Sequence, residues 1–185
     1  MLIGVVAVAG LAVASGSVEA GSSNGNAGHG RNHRPVEALM TVASTEMSDV
    51  VNGVSSRNIW KSLKPGSSFS VTTVRDLYLY VYWRHLSGEH TMTLLIYGPD
   101  QNLYEQRVLP IATGGSSSKR HVRGVEGIVD VQPTRTFGQY EVSTAQLPVA
   151  GTWITGHRLL GTWRVDVLLD ETATPVVSGT FAITE

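Results

Sequence analysis

From residue 76 onward the chain repeatedly alternates apolar and polar positions with a period of two. The run "DLYLYVYWRHL" (76–86) sets Leu77, Leu79, Val81 and Trp83 on one face and Tyr78, Tyr80, Tyr82 and Arg84 on the other. In "HTMTLLIY" (90–97), Met92, Leu94 and Ile96 oppose Thr93, Leu95 and Tyr97. In "GTWRVDVLLD" (161–170), Trp163, Val165, Val167 and Leu169 oppose Arg164, Asp166 and Leu168, and "SGTFAIT" (178–184) groups Phe181 with Ile183. Successive strand side chains point to opposite faces, so such runs, rich in β-branched and aromatic residues, predict strands with one buried face. Between them, "LSG" (86–88), "YGPDQN" (97–102) and "DETATP" (170–175) carry residues that accept turn dihedrals. Weaker alternation predicts further strands around 38–44, 68–74, 103–109, 121–131 and 139–146, and "TEMSDVVN" (45–52) is the best short helical candidate. The pattern predicts an all-β fold: an immunoglobulin-like antiparallel β-sandwich of about seven to nine strands.

The tripeptide Gly-Thr-Trp occurs at 151–153 and again at 161–163. The second copy opens an alternating strand, which puts Trp163 on the core face. The first leads into "ITGHRLL", where alternation fails, and reads as a bend or short edge strand with Trp153 covering an end of the sandwich. Ten residues is too short a spacing for a stacking repeat, so the two copies are one local solution used twice.

A Trp on an early alternating strand (Trp83 in "VYWRHL") and a late "GTWRVDVLL" strand joined by a short turn to "VVSGTFAIT" resemble the C, F and G strands of immunoglobulin-like sandwiches. More narrowly, "HTMTLLIYGPDQNLYE" followed by "LPVAGTWITGHRLLGTWRVDVLLD" and "GTFAI" is similar to Ig-like or macroglobulin-like modules of exported bacterial proteins. The resemblance covers residues 66–185. It implies that the 90–97 strand ends in a Pro-Asp-Gly-type turn and that the later 161–169 strand pairs with the C-terminal one. The chain departs from antibody-type domains in lacking cysteine, and it has Gln101 where that turn usually has Gly. These are packing motifs, and sandwiches of this kind host many unrelated roles.

Composition narrows the function classes. Fourteen basic residues against fifteen acidic give a formal net charge of −1, with only 16% charged residues. The basic residues are scattered, apart from "KRHVR" at 119–123, so the electrostatic footprint of a nucleic-acid binder is missing. Without cysteine there is no disulfide, thiolate nucleophile or Cys-ligated metal. Nothing calls for a cofactor.

The N-terminus carries a compartment signal. "MLIGVVAVAGLAVASGSVEA" begins with an uncharged apolar run, Leu2 to Ala14, too short to span a bilayer. Small residues at Val18 and Ala20, or at Ala12 and Ala14, suit cleavage after Ala20 or Ala14. Residues 1–20 read as a secretory signal peptide, although no Lys or Arg precedes the run. Residues 21–35, "GSSNGNAGHGRNHRP", have almost nothing to bury and read as a flexible leader. Residues 36–185 read as a single sandwich domain. The expected product is exported, to the periplasm, cell surface or medium, with no membrane span after processing.

Candidate sites are few. Tyr78, Tyr80 and Tyr82 lie on one face of a strand at about 7 Å intervals, a spacing on which sugar rings could stack if the face is open. Trp153 is a further candidate ring. The alternative is a strand whose outer face is covered. "HLSGEH" places His85, Glu89 and His90 around a hairpin, ligand types suited to zinc or copper. Carboxylates at Asp100, Asp130, Asp166, Asp170 and Glu171 show no sign of an opposed catalytic pair, and no nucleophile, metalloprotease or phosphate-loop motif is present. The expectation is a non-catalytic exported module that binds another exported or surface protein. The alternative is a carbohydrate-binding domain using the tyrosine platform, with a polysaccharide as ligand.

Overall fold

The computed structural model describes residues 16–18, 34–50, 54–55, 58–114, 119–121 and 128–185. In chain order these form β1 (Gly16–Val18), β2 (Val36–Ala43), α1 (Met47–Val50), α2 (Ile59–Leu63) and β3 (Ser68–Ser70). The long strands β4 (Asp76–Arg84), β5 (Glu89–Tyr97) and β6 (Leu103–Ala112) follow, then the short β7 (Lys119–His121), β8 (Ile128–Asp130), β9 (Gln132–Pro133) and β10 (Arg135–Phe137). The chain ends with β11 (Tyr140–Pro148), α3 (Trp153–Gly156), β12 (Gly161–Leu169) and β13 (Val177–Thr184).

These strands make two facing sheets. The first runs β1-β2-β4-β11-β10, the second β3-β13-β12-β5-β6-β9, and β7 with β8 forms a separate ribbon. The expectation of two sheets and a β-rich chain is met in coarse form: the fold is loosely sandwich-like. Two pairings correct the purely antiparallel expectation, because β3 runs parallel to β13 and β9 parallel to β6. The pairing implied for the 161–169 strand is present, with Trp163 opposite Phe181 and Val165 opposite Gly179.

The periodicities work as packing rules predict. Leu77, Leu79, Val81 and Trp83 of β4 meet Met92, Leu94 and Ile96 of β5 and Trp163, Val165 and Val167 of β12 in one core between the sheets. The Trp83 indole N–H donates to the Ser143 hydroxyl at 2.9 Å, so two buried polar groups satisfy each other. Gln101 stands where Gly was usual and takes a left-handed φ of 64°. Asp100 supports it by accepting from the Asn102 amide at 3.1 Å, an Asx turn.

The two sides of the sandwich close differently. On one side β2 lies against β13, where the Met40 methyl packs so close to Gly179 that a Cβ there would make the Met40 side chain shift. On the other, the short run 132–137 changes sheets, pairing through β9 with Ile111–Ala112 of β6 and through β10 with Tyr140–Val142 of β11. This corner makes the fold curl towards a half-barrel.

Several boundaries differ from the sequence expectation. The 68–74 strand stops at Ser70, where Val71–Thr73 turn. Of the expected 121–131 strand, His121 ends β7 and Ile128–Asp130 form β8, while 122–127 lie outside the described residues. The helical expectation at 45–52 survives as α1, and α2 was not foreseen. Of the expected signal peptide and leader, Gly16–Val18 pair with Val36–Ala38 of β2. Residues 1–15 and 19–33 lie outside the described residues. No helix among the described residues is long and apolar enough to cross a membrane.

Candidate functional site

A second apolar cluster explains where the polar site lies. Tyr80, Tyr82 and Val142 on the outer face of the first sheet are covered by Met47 of α1, Ile59 and Leu63 of α2, and the Phe137 and Tyr140 rings. Tyr80 is 0% exposed and its hydroxyl donates to the Thr45 carbonyl at 2.9 Å. Tyr82 is 3% exposed, edge-on to Phe137 and Tyr140 at 6.5 and 6.2 Å between centroids. Burial pushes both phenols well above the ordinary tyrosine range. This corrects the platform expectation: Tyr80 and Tyr82 are core residues of a covered face, and no stacking surface runs along the ladder. Only Tyr78, at its end, reaches open space.

Tyr78 and Glu46 line both of two adjoining cavities, of about 600 and 480 Å³, beside α1. The smaller is also lined by Asp49, Asp76, Lys64 and Arg75. The Tyr78 phenol is held above its ordinary range, first by burial and then by the negative charges of Asp76, Glu46 and Asp49. The larger has Val142, Thr144 and Gln146 of β11 on its floor, with Arg107, Leu109, Gln132, Pro133 and Arg135 along the corner side. Charges of both signs therefore line the smaller cavity, and Arg107 and Arg135 stand on the corner side of the larger.

The larger cavity is a gap between two strand edges. β11 pairs with β4 along its length, and among the described residues β10 covers its other edge only at Tyr140–Val142. β6 pairs with β5 along its length, and among the described residues β9 covers its other edge only at Ile111–Ala112. Arg107 crosses the gap: its guanidinium donates to the Gln146 carbonyl, and to Glu105 at 2.8 Å from Nε. Backbone groups of successive strand residues point alternately to the two edges. Gln146 therefore fixes Thr144 as facing the gap too. On β6 the Ala112 carbonyl accepts from the Thr134 amide at 2.9 Å, which by the same alternation turns Gln106 and Val108 towards it. Pro110 and Pro148 take the same parity and bring no N–H. Prolines with their nitrogen on an open edge are a legible edge-strand signal, and they could have pointed to Arg107, Thr144 and Gln146, which sequence reasoning missed.

The metal trio is not brought together. His85, with a left-handed φ of 61°, turns its Nδ1 to the Pro35 carbonyl at 3.2 Å. His90 lies between Asp170, 3.0 Å from Nδ1, and the Ser87 carbonyl, 3.1 Å from Nε2. Both of these partners are acceptors. Glu89 is exposed at the start of β5. Among the described residues no group of three or more His, Asp or Glu could hold a metal ion, and no histidine lines either cavity.

Both Trp positions are resolved. Trp163 is fully buried, with its indole N–H on the Leu159 carbonyl at 3.2 Å. Trp153 was expected in a bend or edge strand as a cover. It stands instead in α3, capped by the Thr152 hydroxyl on the Ile154 amide at 3.2 Å, and is 63% exposed. Its ring stacks on His157, with centroids 3.4 Å apart and planes 20° apart.

No protein-family model matches the chain, and a search of curated proteins returns no relative. Among solved structures, a presumed beta-galactosidase from Bacteroides fragilis aligns over 60% of this chain at 12% identity and a TM-score of 0.29. The chain spans 14% of that protein's length. So loose a likeness carries no argument, and the Ig-like or macroglobulin-like resemblance has no specific match behind it.

Proposed function

We propose that this chain is an exported, non-catalytic binding module, Ig-like in the loose sense, whose ligand is another exported or surface protein held in the groove beside α1. The observation that carries the reading is the groove itself: it joins the arginines of the corner side to the mixed charges beside α1, over a floor of strand-edge amides and carbonyls. Such a surface offers what a polypeptide presents in return, backbone hydrogen bonds and paired charges. A polysaccharide platform at the tyrosine ladder lacks support, since two of its three rings are in a core. The carbohydrate reading keeps one observation, the exposed ring of Trp153 stacked flat on His157, an amphipathic surface of the kind sugars pack against.

Selection of a displayed random-peptide library on the full chain, followed by amide chemical-shift mapping, tests the choice. Peptides that shift Tyr78, Thr144 and Gln146, with no effect of a polysaccharide panel on the melting midpoint, are the expected result. A polysaccharide that raises the midpoint of the parent chain but not of Trp153→Ala, with no peptide enriched, would replace this reading with the carbohydrate one.

A further inference from the structure

We propose that the gap between β11 and β6 takes up one extended segment of a partner protein as an inserted strand, with an acidic side chain beside Arg135. This rests on the protein-partner reading above and names its mode. Where the corner run 132–137 stands, one strand fills the space between β6 and β11, with β9 on one and β10 near the other. Beyond Gln132 the two sheets continue, and β8 is paired with β7 in the separate ribbon. The line of the corner strand is thus prolonged by an open slot, among the described residues, while the edges on either side still present backbone groups.

Those groups set the length and direction of the occupant. Thr144 and Gln146 on one side and Gln106 and Val108 on the other turn their N–H and C=O groups into the slot, and Pro110 and Pro148 stop the ladders. That suits an occupant of about five residues, at roughly 3.3 Å each. Following the corner strand, it lies antiparallel to β11 and parallel to β6. Arg107 meanwhile does one part of a strand's work, donating to the Gln146 carbonyl that an inserted amide would otherwise satisfy.

Charge fixes one side chain. Arg135 is directly opposite Val142, so its side chain shares a face with those of Thr144 and Gln146. It is exposed, lines the cavity and makes no ion pair among the described residues. Arg107, by contrast, is paired with Glu105 at 2.6 Å. An occupant with an acidic residue on that face, at the end nearest Arg135, gains a charge-assisted partner. The chain's own leader does not supply it, since residues 21–35 contain Arg31 and Arg34 and no acid.

The probe is a capped heptapeptide alternating Val and Glu, at millimolar concentration with the full chain, read by amide hydrogen exchange. The amides of Thr144, Gln146, Gln106 and Val108 are expected to slow by about tenfold or more. A Val/Lys counterpart is expected to protect them less, and Arg135→Glu, a surface change, to reverse that order. Protection that is equal for both peptides overturns the charge assignment. Shifts confined to Tyr78 and α1 without protection of the four amides overturn insertion, while a protein-binding groove stands. No effect anywhere at that concentration also overturns insertion, and the library selection then judges the broader reading separately. Protection that appears without peptide and grows with protein concentration assigns the slot to a second copy instead.

Discussion

Alkaline pH is expected to unfold this domain, and Tyr80 and Tyr82 are expected to carry most of the effect. Both phenols are in the cluster under α1 and α2, and burial raises both above the ordinary value of 10.0. In the unfolded chain each releases its proton near pH 10, whereas the folded chain keeps it. The unfolded state then binds fewer protons, so stability is fully present below about pH 10 and falls as pH rises towards the folded-state value. The slope is about 1.4 kcal/mol per pH unit for each such tyrosine. Between about pH 10 and 12 the pair therefore removes roughly 5 kcal/mol, comparable with the whole stability of an ordinary domain. Urea midpoints from pH 8 to the alkaline limit, for the parent, Tyr80→Phe, Tyr82→Phe and the double variant, give the slopes directly. At neutral pH, Tyr80→Phe also loses its bond to the Thr45 carbonyl, at a cost of about 1 kcal/mol. Lysine titration is common to all four proteins and cancels in the comparison. Parallel curves for parent and double variant would refute the argument, because they would mean that neither phenol differs between folded and unfolded chains.

Other substitutions read single contacts. Ser143→Ala leaves the buried Trp83 N–H without its acceptor, and calorimetry is expected to show a loss of about 1–3 kcal/mol; an unchanged midpoint would mean that the indole finds another partner. Thr152→Ala removes the cap of α3 at a cost of about 1 kcal/mol, whereas Trp153→Ala, at an exposed position, is expected to stay within about 0.5 kcal/mol. The reverse ranking would show that the stack of Trp153 on His157 contributes more than the cap. Asp170→Ala removes the acceptor of the Thr91 amide, 3.0 Å away, and of His90. A partly exposed position limits that loss to about 1 kcal/mol, and faster exchange of the Thr91 amide is the readout.

Much of the architecture was legible in the residues. The alternation of 76–86, 90–97, 161–170 and 178–184 marks β4, β5, β12 and β13, and it assigns their core faces correctly, because side-chain direction along a strand is a local property of the backbone. The turn around Pro99–Asn102 was legible for the same reason. The tyrosine ladder was not. Its period placed it on the outer face correctly, but an outer face is open or covered according to what else folds onto it. Met47, Ile59, Leu63, Phe137 and Tyr140 come from segments with weak patterns of their own. The histidines of "HLSGEH" failed as a metal trio for a similar reason. His90 found its carboxylate in Asp170, eighty positions away in the chain.

The sequence by itself determined that the chain is β-rich, which residues enter the inter-sheet core, and that it carries no thiol. These follow from short-range geometry and composition. The tertiary structure alone decided that Tyr80 and Tyr82 are buried, that 132–137 closes one side of the sandwich, and that, among the described residues, β11 and β6 leave facing edges open with Arg107 between them. Whether a strand edge is covered depends on where its neighbour stops pairing. That is set by contacts between segments far apart along the chain, and local alternation carries no record of them.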